Sequence, residues 1–134
     1  MTERHEQGML DTSVVIDLPR LPEEQLPLAG LVSAVTVAEL CAGLHSTSSP
    51  AERAARAERL LGVEEDFDPV PFDSASARAY GRMVALTIAF GGNPRPRKLD
   101  LMIAATAAAN DLPLYTRNPK DFEGLEAALA VVPV

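Results

Sequence analysis

Apolar and polar positions alternate along the chain in blocks that predict strands followed by helices. A charged, aperiodic start at 1–8 is expected to form a flexible tail. The run MLDTSVVIDL then predicts a short buried strand at 9–11 that turns into a helix near Thr12. A proline-rich loop separates it from GLVSAV at 30–35, a β-branched apolar run that predicts a second strand.

Helical spacing dominates the middle of the chain. Apolar residues recur at helical intervals in TVAELCAGL at 36–44, where Thr36 is the expected N-cap. A second helix is predicted to open at Ser49 and Pro50 and to stop at Gly62.

The remainder of the chain continues the alternation. A proline-containing edge strand is expected at 68–72, and the long helix after it should end near Phe90, before two glycines. A basic loop then leads into a strongly apolar helix at 99–111. Strands are predicted at 112–116 and 130–134, with a turn and a short helical piece between them.

Strands that alternate with helices imply parallel crossovers. The predicted fold class is therefore α/β, a three-layer α/β/α domain at 9–134 with a parallel sheet of four or five strands. No repeat, low-complexity segment or long linker divides the chain, so one domain is expected.

Composition narrows the function classes. A net charge of −7 and a pI of about 4.7 argue against a general nucleic-acid coat or attachment to a membrane surface. They leave open a nucleic acid held locally through metal ions. The single cysteine, Cys41, fits a reducing compartment and is expected to be buried. Neither a secretory signal nor a membrane-spanning run is visible, so a cytoplasmic protein is expected.

Four acidic residues are candidates for chemistry because of their positions relative to the predicted strands. Asp11 ends the first strand, and Glu39 lies in the first turn of the helix after the second strand. Asp100 begins the apolar helix, and Asp121 follows the strand at 112–116 by five residues. Ligands of a parallel sheet gather at the carboxyl ends of its strands. Three of the four acids fall at that edge.

Each acid also has a local role open to it. Asp11 and Asp121 could cap a helix or a turn, and Asp100 could complement a helix dipole. Glu39 stands three residues after Thr36 and could complete a capping box with it.

Crowded carboxylates repel one another unless a cation lies between them. Oxygen ligands suit Mg²⁺ or Mn²⁺, and two such ions can activate water and stabilise the leaving oxygen in phosphodiester cleavage. The sequence offers no His–Cys cluster, Gly-rich phosphate loop or Ser–His–Asp pattern as an alternative. Metal-dependent phosphate chemistry is the interpretation that uses the acids.

Four motifs, LDTSVVID, TVAEL, KLDLMIAATA and LYTRNPKDF, resemble in order and spacing the PIN domains of VapC-type toxins. The resemblance spans about 9–134. It implies an α/β/α fold with a parallel sheet and an endoribonuclease activity that depends on Mg²⁺ or Mn²⁺. It also implies a cognate VapB-type antitoxin and assembly as a homodimer or a toxin–antitoxin hetero-oligomer.

The family's acidic positions fall on Asp11, Glu39, Asp100 and Asp121, which the resemblance implies to be catalytic and metal-binding. Thr12 and Thr116 are candidates to hydrogen-bond these carboxylates or a water molecule, and Asn118 stands where relatives carry Asp or Asn. Basic residues in the two loops nearest the acids are candidate RNA contacts: Arg95, Arg97, Lys98, Arg117 and Lys120.

Two other functions stay open on the sequence. A receiver-like phospho-acceptor domain would use Asp11 and Asp73, but it leaves Glu39 and Asp100 without a role and lacks the usual acid pair at the first strand. A PIN fold that has lost catalysis and serves only as a binding module is the second alternative.

Overall fold

Within residues 4–134, which the computed structural model describes, four strands alternate with five α-helices. The strands are β1 (Gln7–Leu10), β2 (Ala29–Val32), β3 (Leu114–Thr116) and β4 (Val131–Pro133). The helices are α1 (Thr12–Asp17), α2 (Ala34–Gly43), α3 (Pro50–Asp66), α4 (Ser74–Phe90) and α5 (Lys98–Ala109).

All four strands pair in parallel, in the order β2-β1-β3-β4. Because side chains alternate between the two faces of a strand, the sheet feeds two separate cores. Met9 and Leu114 belong to the core that includes buried residues of α4 and α5. Leu10 and Tyr115 belong to the core that includes buried residues of α1 and α3. This is the predicted three-layer α/β/α fold, with four strands.

The start of α2 differs from the prediction. Ser33 is the N-cap instead of Thr36, because its Oγ accepts a hydrogen bond from the backbone N–H of Val35 at 3.0 Å. Thr36 therefore lies inside the first turn, fully buried, and Glu39 falls in the second turn. The predicted capping box between Thr36 and Glu39 does not form.

Two further boundaries were predicted wrongly. α3 continues through Gly62 to Asp66, and Val63, the next residue, is buried in the second core. Such packing offsets the roughly 1 kcal/mol that a glycine costs inside a helix. In place of a strand at 68–72, Val70 forms one isolated parallel bridge to Ser33.

β1 begins at Gln7, two residues before the predicted strand, because its pairing with β2 extends back to Ala29. Ahead of it, the carbonyl oxygen of His5 accepts a hydrogen bond from the N–H of Leu28 at 2.9 Å. Arg4 Nε donates to the carbonyl of Leu26 at 2.9 Å. The rest of the predicted tail, residues 1–3, lies outside the described residues.

Two expectations drawn from composition concern the surface. Cys41 is exposed on α2 and not buried as expected, since its neighbour Leu40 takes the buried position. Among the helices described, none has the length and apolar character needed to cross a membrane.

Candidate active site

Asp11 lies at the carboxyl end of β1, where the strand turns into α1, and only 3% of its surface is exposed. It holds the N-cap position, but its carboxylate makes no capping hydrogen bond. The carboxylate instead accepts hydrogen bonds on Oδ2 from Ser13 Oγ at 2.9 Å and from Thr116 Oγ1 at 2.8 Å. Side-chain hydroxyls of α1 and β3 therefore hold this carboxylate, and it does not cap the backbone of the helix.

The second oxygen of this carboxylate, Oδ1, is buried and has no hydrogen-bond partner among the described residues. A buried carboxylate oxygen without a partner is costly, and buried charges in proteins are normally paired or coordinate metals. The unpaired Oδ1 of Asp11 is thus suited to a cation.

Glu39 on α2 is held by a chain of hydroxyl groups that starts on α1. Thr12 Oγ1 donates to Glu39 Oε1 at 2.8 Å and lies 2.9 Å from Thr36 Oγ1. Since a hydroxyl has one proton to give, Thr36 must donate to Thr12 when Thr12 donates to Glu39. Burial raises the pKa of Glu39, the bond from Thr12 lowers it, and the charge of Asp11 raises it further.

Asp100 stands in the first turn of α5, half-buried, and has the most perturbed carboxyl group of the site. Burial is the main cause that raises its pKa to about 6, and the charges of Asp11, Asp121 and Glu39 add to the effect. Arg97 acts in the opposite direction. The structure therefore brings all four predicted acids within electrostatic reach of one another.

Asp121 lies in a short 3₁₀ turn, Pro119–Phe122, and forms an ion pair across the site. Arg97 Nη1 is 3.6 Å from Asp121 Oδ1 and also donates to the carbonyl of Lys120 at 3.1 Å. Arg97 closes its own 3₁₀ turn, Arg95–Arg97, directly before α5. This arginine ties the turn before Asp100 to the turn that bears Asp121.

The fit of the acids to a metal ion is partial in this arrangement. Among residues 4–134, no three side chains of Asp, Glu, His or Cys lie close enough together to enclose an ion. Thr12 holds Glu39, Arg97 holds Asp121, and mutual repulsion favours this separation. The charge of the set and the unpaired oxygen of Asp11 fit a divalent cation, and ligation by all four acids would require their side chains to move closer together.

The hydroxyl groups around the acids include two that sequence analysis missed, Ser13 and Thr36. The signal for Ser13 was its place two residues after Asp11 at the start of a helix, where a hydroxyl can reach back. Thr36 carried no separate signal, because it was assigned to the N-cap. Asn118 reaches the network through its backbone N–H, which donates to Thr116 Oγ1 at 3.0 Å.

The five candidate RNA contacts fall into two groups. Arg97 is paired with Asp121, and Arg117 Nη1 lies 3.3 Å from Asp17 Oδ2 on α1. The other three make no ion pair with any residue that the structure describes: Arg95, Lys98 and Lys120. The three unpaired cations are the ones available to a phosphate.

Asp73, which a receiver-like domain would use, has a different role. Its Oδ1 accepts hydrogen bonds from the backbone N–H and the Oγ of Ser76, both at 2.9 Å, and these bonds lower its pKa. The carboxylate caps α4 and is not part of the acidic site.

The chain matches one known protein family over most of its length. A family model described as the PIN domain matches residues 8–127. No curated protein sequence is similar enough to match.

Several solved structures are similar to this chain. One is a member of the VapBC family of toxin–antitoxin systems, VapBC-5, from Mycobacterium tuberculosis, with 34% identity and a TM-score of 0.84 over 96% of this chain and 99% of that chain. FitAcB from Neisseria gonorrhoeae is 29% identical, with a TM-score of 0.68 over 92% of this chain and 94% of that one. A toxin–antitoxin complex from Klebsiella pneumoniae is 26% identical, with a TM-score of 0.63 over 93% and 95%.

Proposed function

The chain belongs to the PIN domain family, and we propose that it is a divalent-metal-dependent endoribonuclease that acts as the toxin of a toxin–antitoxin pair. The observation that carries the proposal is the buried carboxylate of Asp11. One of its oxygens is fixed by two hydroxyl groups and the other lacks a partner among the described residues, beside two further acids with raised pKa values.

Mg²⁺ or Mn²⁺ is the proposed cofactor, with Asp11, Glu39, Asp100 and Asp121 as the residues that would hold it. When bound, such an ion would activate water and neutralise charge on the phosphate that is cleaved. Burial is the main cause that raises the pKa of Asp100 to about 6, and the neighbouring carboxylate charges that add to this effect are those that a cation would balance.

The protein's own residues supply position and charge. Ser13 on α1 and Thr116 on β3 fix Oδ2 of Asp11, and Thr12 on α1 fixes Oε1 of Glu39, so hydroxyls of α1 and β3 pre-orient these two carboxylates. Arg97 keeps Asp121 oriented toward the site from the opposite side. Pre-orientation of this kind avoids reorganisation during reaction.

RNA is the proposed substrate because two of the acids share a cavity with two cations that make no ion pair among the described residues. A cavity of about 320 Å³ is lined by Glu39 and Asp100 together with Arg95 and Lys98. In a chain with a net charge of −7, a polyanion would approach the acids only along such a local basic strip.

A VapB-type antitoxin is the proposed partner, and an apolar groove between α1 and α3 is its proposed seat. The groove encloses about 440 Å³ and is lined by Val15, Ile16, Leu18 and Phe67, with charged residues at its rim. Ile16 is 41% exposed. An amphipathic helix fits such a surface.

The groove also leads to the acids. A neighbouring cavity of about 370 Å³ shares Ile16 and Arg59 with it and extends to Thr12 and Glu39. A partner seated in the groove could therefore cover the site or place an arginine beside Glu39. We propose that neutralisation uses this route, in the cytoplasm, within a homodimer or a toxin–antitoxin hetero-oligomer.

The test of this function is expression of the chain alone and together with the product of the small reading frame next to its gene. We expect growth to slow in the first case and to recover in the second, and the pair to co-purify. Purified protein should cut total RNA with Mg²⁺ or Mn²⁺ and not with EDTA. A chain that is harmless alone, binds no such partner and leaves RNA intact would contradict the proposal and favour a binding module.

A further inference from the structure

A second cavity adjoins the acids through two shared side chains. We call it the Tyr80 pocket, and it encloses about 440 Å³ between α4 and the loop before α5. Its lining consists of Tyr80, Val84, Asn93, Pro94, Arg95 and Lys98. Because Arg95 and Lys98 also line the cavity that contains Glu39 and Asp100, the two cavities have a common wall.

We propose that the Tyr80 pocket binds an unpaired base of single-stranded RNA, next to the phosphate that is cleaved, while Arg95 and Lys98 contact the adjoining phosphates. This inference rests on the proposed function, since it assigns a subsite for the same substrate.

The walls of the pocket suit the face of a base. Tyr80 is half-buried and packs against the first core, which holds its ring in place, and Val84 packs against the same core. Aromatic side chains serve as stacking platforms for bases regardless of sequence, and Pro94 and Val84 add apolar surface beside Tyr80.

The polar edge of the pocket suits the rim of a base. Asn93 Oδ1 accepts a hydrogen bond from the backbone N–H of Arg95 at 3.1 Å, which fixes the amide. The Nδ2 group of Asn93 donates to no other residue in the described part of the chain and is free to donate to a base acceptor.

The two shared cations suit the chain of phosphates between the pocket and the acids. Neither Arg95 nor Lys98 pairs with a described acid, although Arg97 in the same loop does. Bases in a duplex are already stacked and paired, so they cannot stack on Tyr80. The Tyr80 pocket therefore selects single strands.

The experiment measures binding of a fluorescein-labelled single-stranded RNA of about 12 nucleotides by fluorescence anisotropy, in EDTA so that cleavage does not interfere. Base stacking predicts that Tyr80→Ala weakens binding roughly 5- to 100-fold, and that Tyr80→Phe, which keeps the ring, stays within about 3-fold of wild type. Arg95→Ala and Lys98→Ala should each flatten the salt dependence by about 0.7 in slope. Arg78→Ala, an exposed arginine of α4 outside the pocket, is the matched control.

A second measurement begins with wild-type protein alone, so its first result does not depend on how a variant folds. RNAs that carry one abasic nucleotide at successive positions are tested on wild-type protein, and one position should lose about as much affinity as Tyr80→Ala causes. That position should cost nothing further in Tyr80→Ala. The inference is overturned if neither Tyr80→Ala nor any abasic position changes the affinity for RNA. It is also overturned if Tyr80→Ala changes the oligomeric state of the protein and leaves its affinity for RNA unchanged. If wild-type protein still cleaves RNA in that case, the proposed nuclease function stands although the pocket does not bind a base. If Tyr80 and one abasic position do affect binding but wild-type protein does not cleave RNA, the pocket stands and the nuclease function fails.

Discussion

The carboxylate of Asp11 is buried, and one of its two oxygens has no hydrogen-bond partner among the described residues, so the proposed metal site depends most directly on this residue. Asp11→Asn keeps an oxygen for Ser13 and Thr116 but removes a charge that repels Glu39 and Asp100. Without metal, we expect Asp11→Asn to be at least as stable as wild type. With Mg²⁺ or Mn²⁺ at 100 times its Kd, wild type should gain roughly 2.7 kcal/mol of stability, and Asp11→Asn should gain less. Thermal melting with and without the ion measures this.

The control for that experiment is Asp68→Asn, which removes an exposed carboxylate outside the site. It should gain as much stability from the ion as wild type does. An equal gain in Asp11→Asn would count against Asp11 as a ligand.

Asp100 gives the protein a pH dependence whose sign follows from its pKa. That pKa is raised to about 6 from an ordinary 3.8, so ionisation of Asp100 opposes folding. The stability it contributes is intact below about pH 4 and is lost as the pH rises to about 6. Relative to wild type, Asp100→Asn should gain on the order of 1 kcal/mol across that window, once solvent screening at a half-buried site is allowed for.

Denaturant unfolding in EDTA at a series of pH values measures the difference between the two proteins. It should grow between pH 4 and pH 6 and stay level above. A difference that does not change with pH would show that Asp100 is not the perturbed group.

Arg97 limits the repulsion within the site, since its guanidinium faces Asp121 and lowers the pKa of Asp100. Arg97→Gln should therefore raise the pKa of Asp100 above its wild-type value. NMR titration of the side-chain carboxyl carbon checks this in metal-free protein. Arg117→Gln is the comparison, because Arg117 pairs with Asp17, and it should leave the titration of Asp100 unchanged.

Ser33 caps helix α2, which begins at Ala34, and this start places Glu39 in the second turn, at the site. Ser33→Ala removes the bond to the N–H of Val35 and should lower the free energy of unfolding by about 1 kcal/mol, the usual value of an N-cap. Chemical denaturation measures it, with Ser49→Ala at the N-cap of the exposed α3 as the comparison. If Ser33→Ala does not lower the free energy of unfolding, Ser33 is not the effective N-cap, and Thr36 is the alternative.

Element boundaries were predictable where a local signal decides them and were not where a distant contact does. α4 ends at Phe90, directly before Gly91, whose φ of 96° suits glycine, and this end was predicted. The start of α2 and the passage of α3 through Gly62 depend on burial against other elements, which single-sequence spacing does not reveal.

The candidate site shows the same division. The alternation of strands and helices, with the rule for parallel sheets, was enough to predict that three of the four acids share one edge. Thr12 and Thr116 were predicted as hydrogen-bond partners of these carboxylates, and the register of β1 against β3, which pairs Leu10 with Tyr115, sets Thr116 beside Asp11. The contributions of Ser13 and Thr36 were not predicted, because they depend on how α1 and α2 pack at this edge.

The fold gathers three surfaces around the carboxyl edge of one parallel sheet. The acids lie at the edge, the α1–α3 groove reaches them from one side, and the Tyr80 pocket adjoins them on another. The resemblance predicted from four motifs is confirmed by the PIN family match and by the similarity to VapBC-5. Cleavage, partner binding and substrate choice would then all converge on a small part of an acidic protein.

Cleavage of a defined single-stranded RNA, followed over a titration of Mg²⁺ or Mn²⁺, tests whether these acids form a metal-dependent nuclease site. Wild type and Asp68→Asn should cut at the same positions with rates that saturate in metal, whereas Asp11→Asn and Asp100→Asn should lose at least about 100-fold in rate while keeping their fold. Cleavage by wild type that persists in excess EDTA, or full activity in both acid variants, would contradict this account.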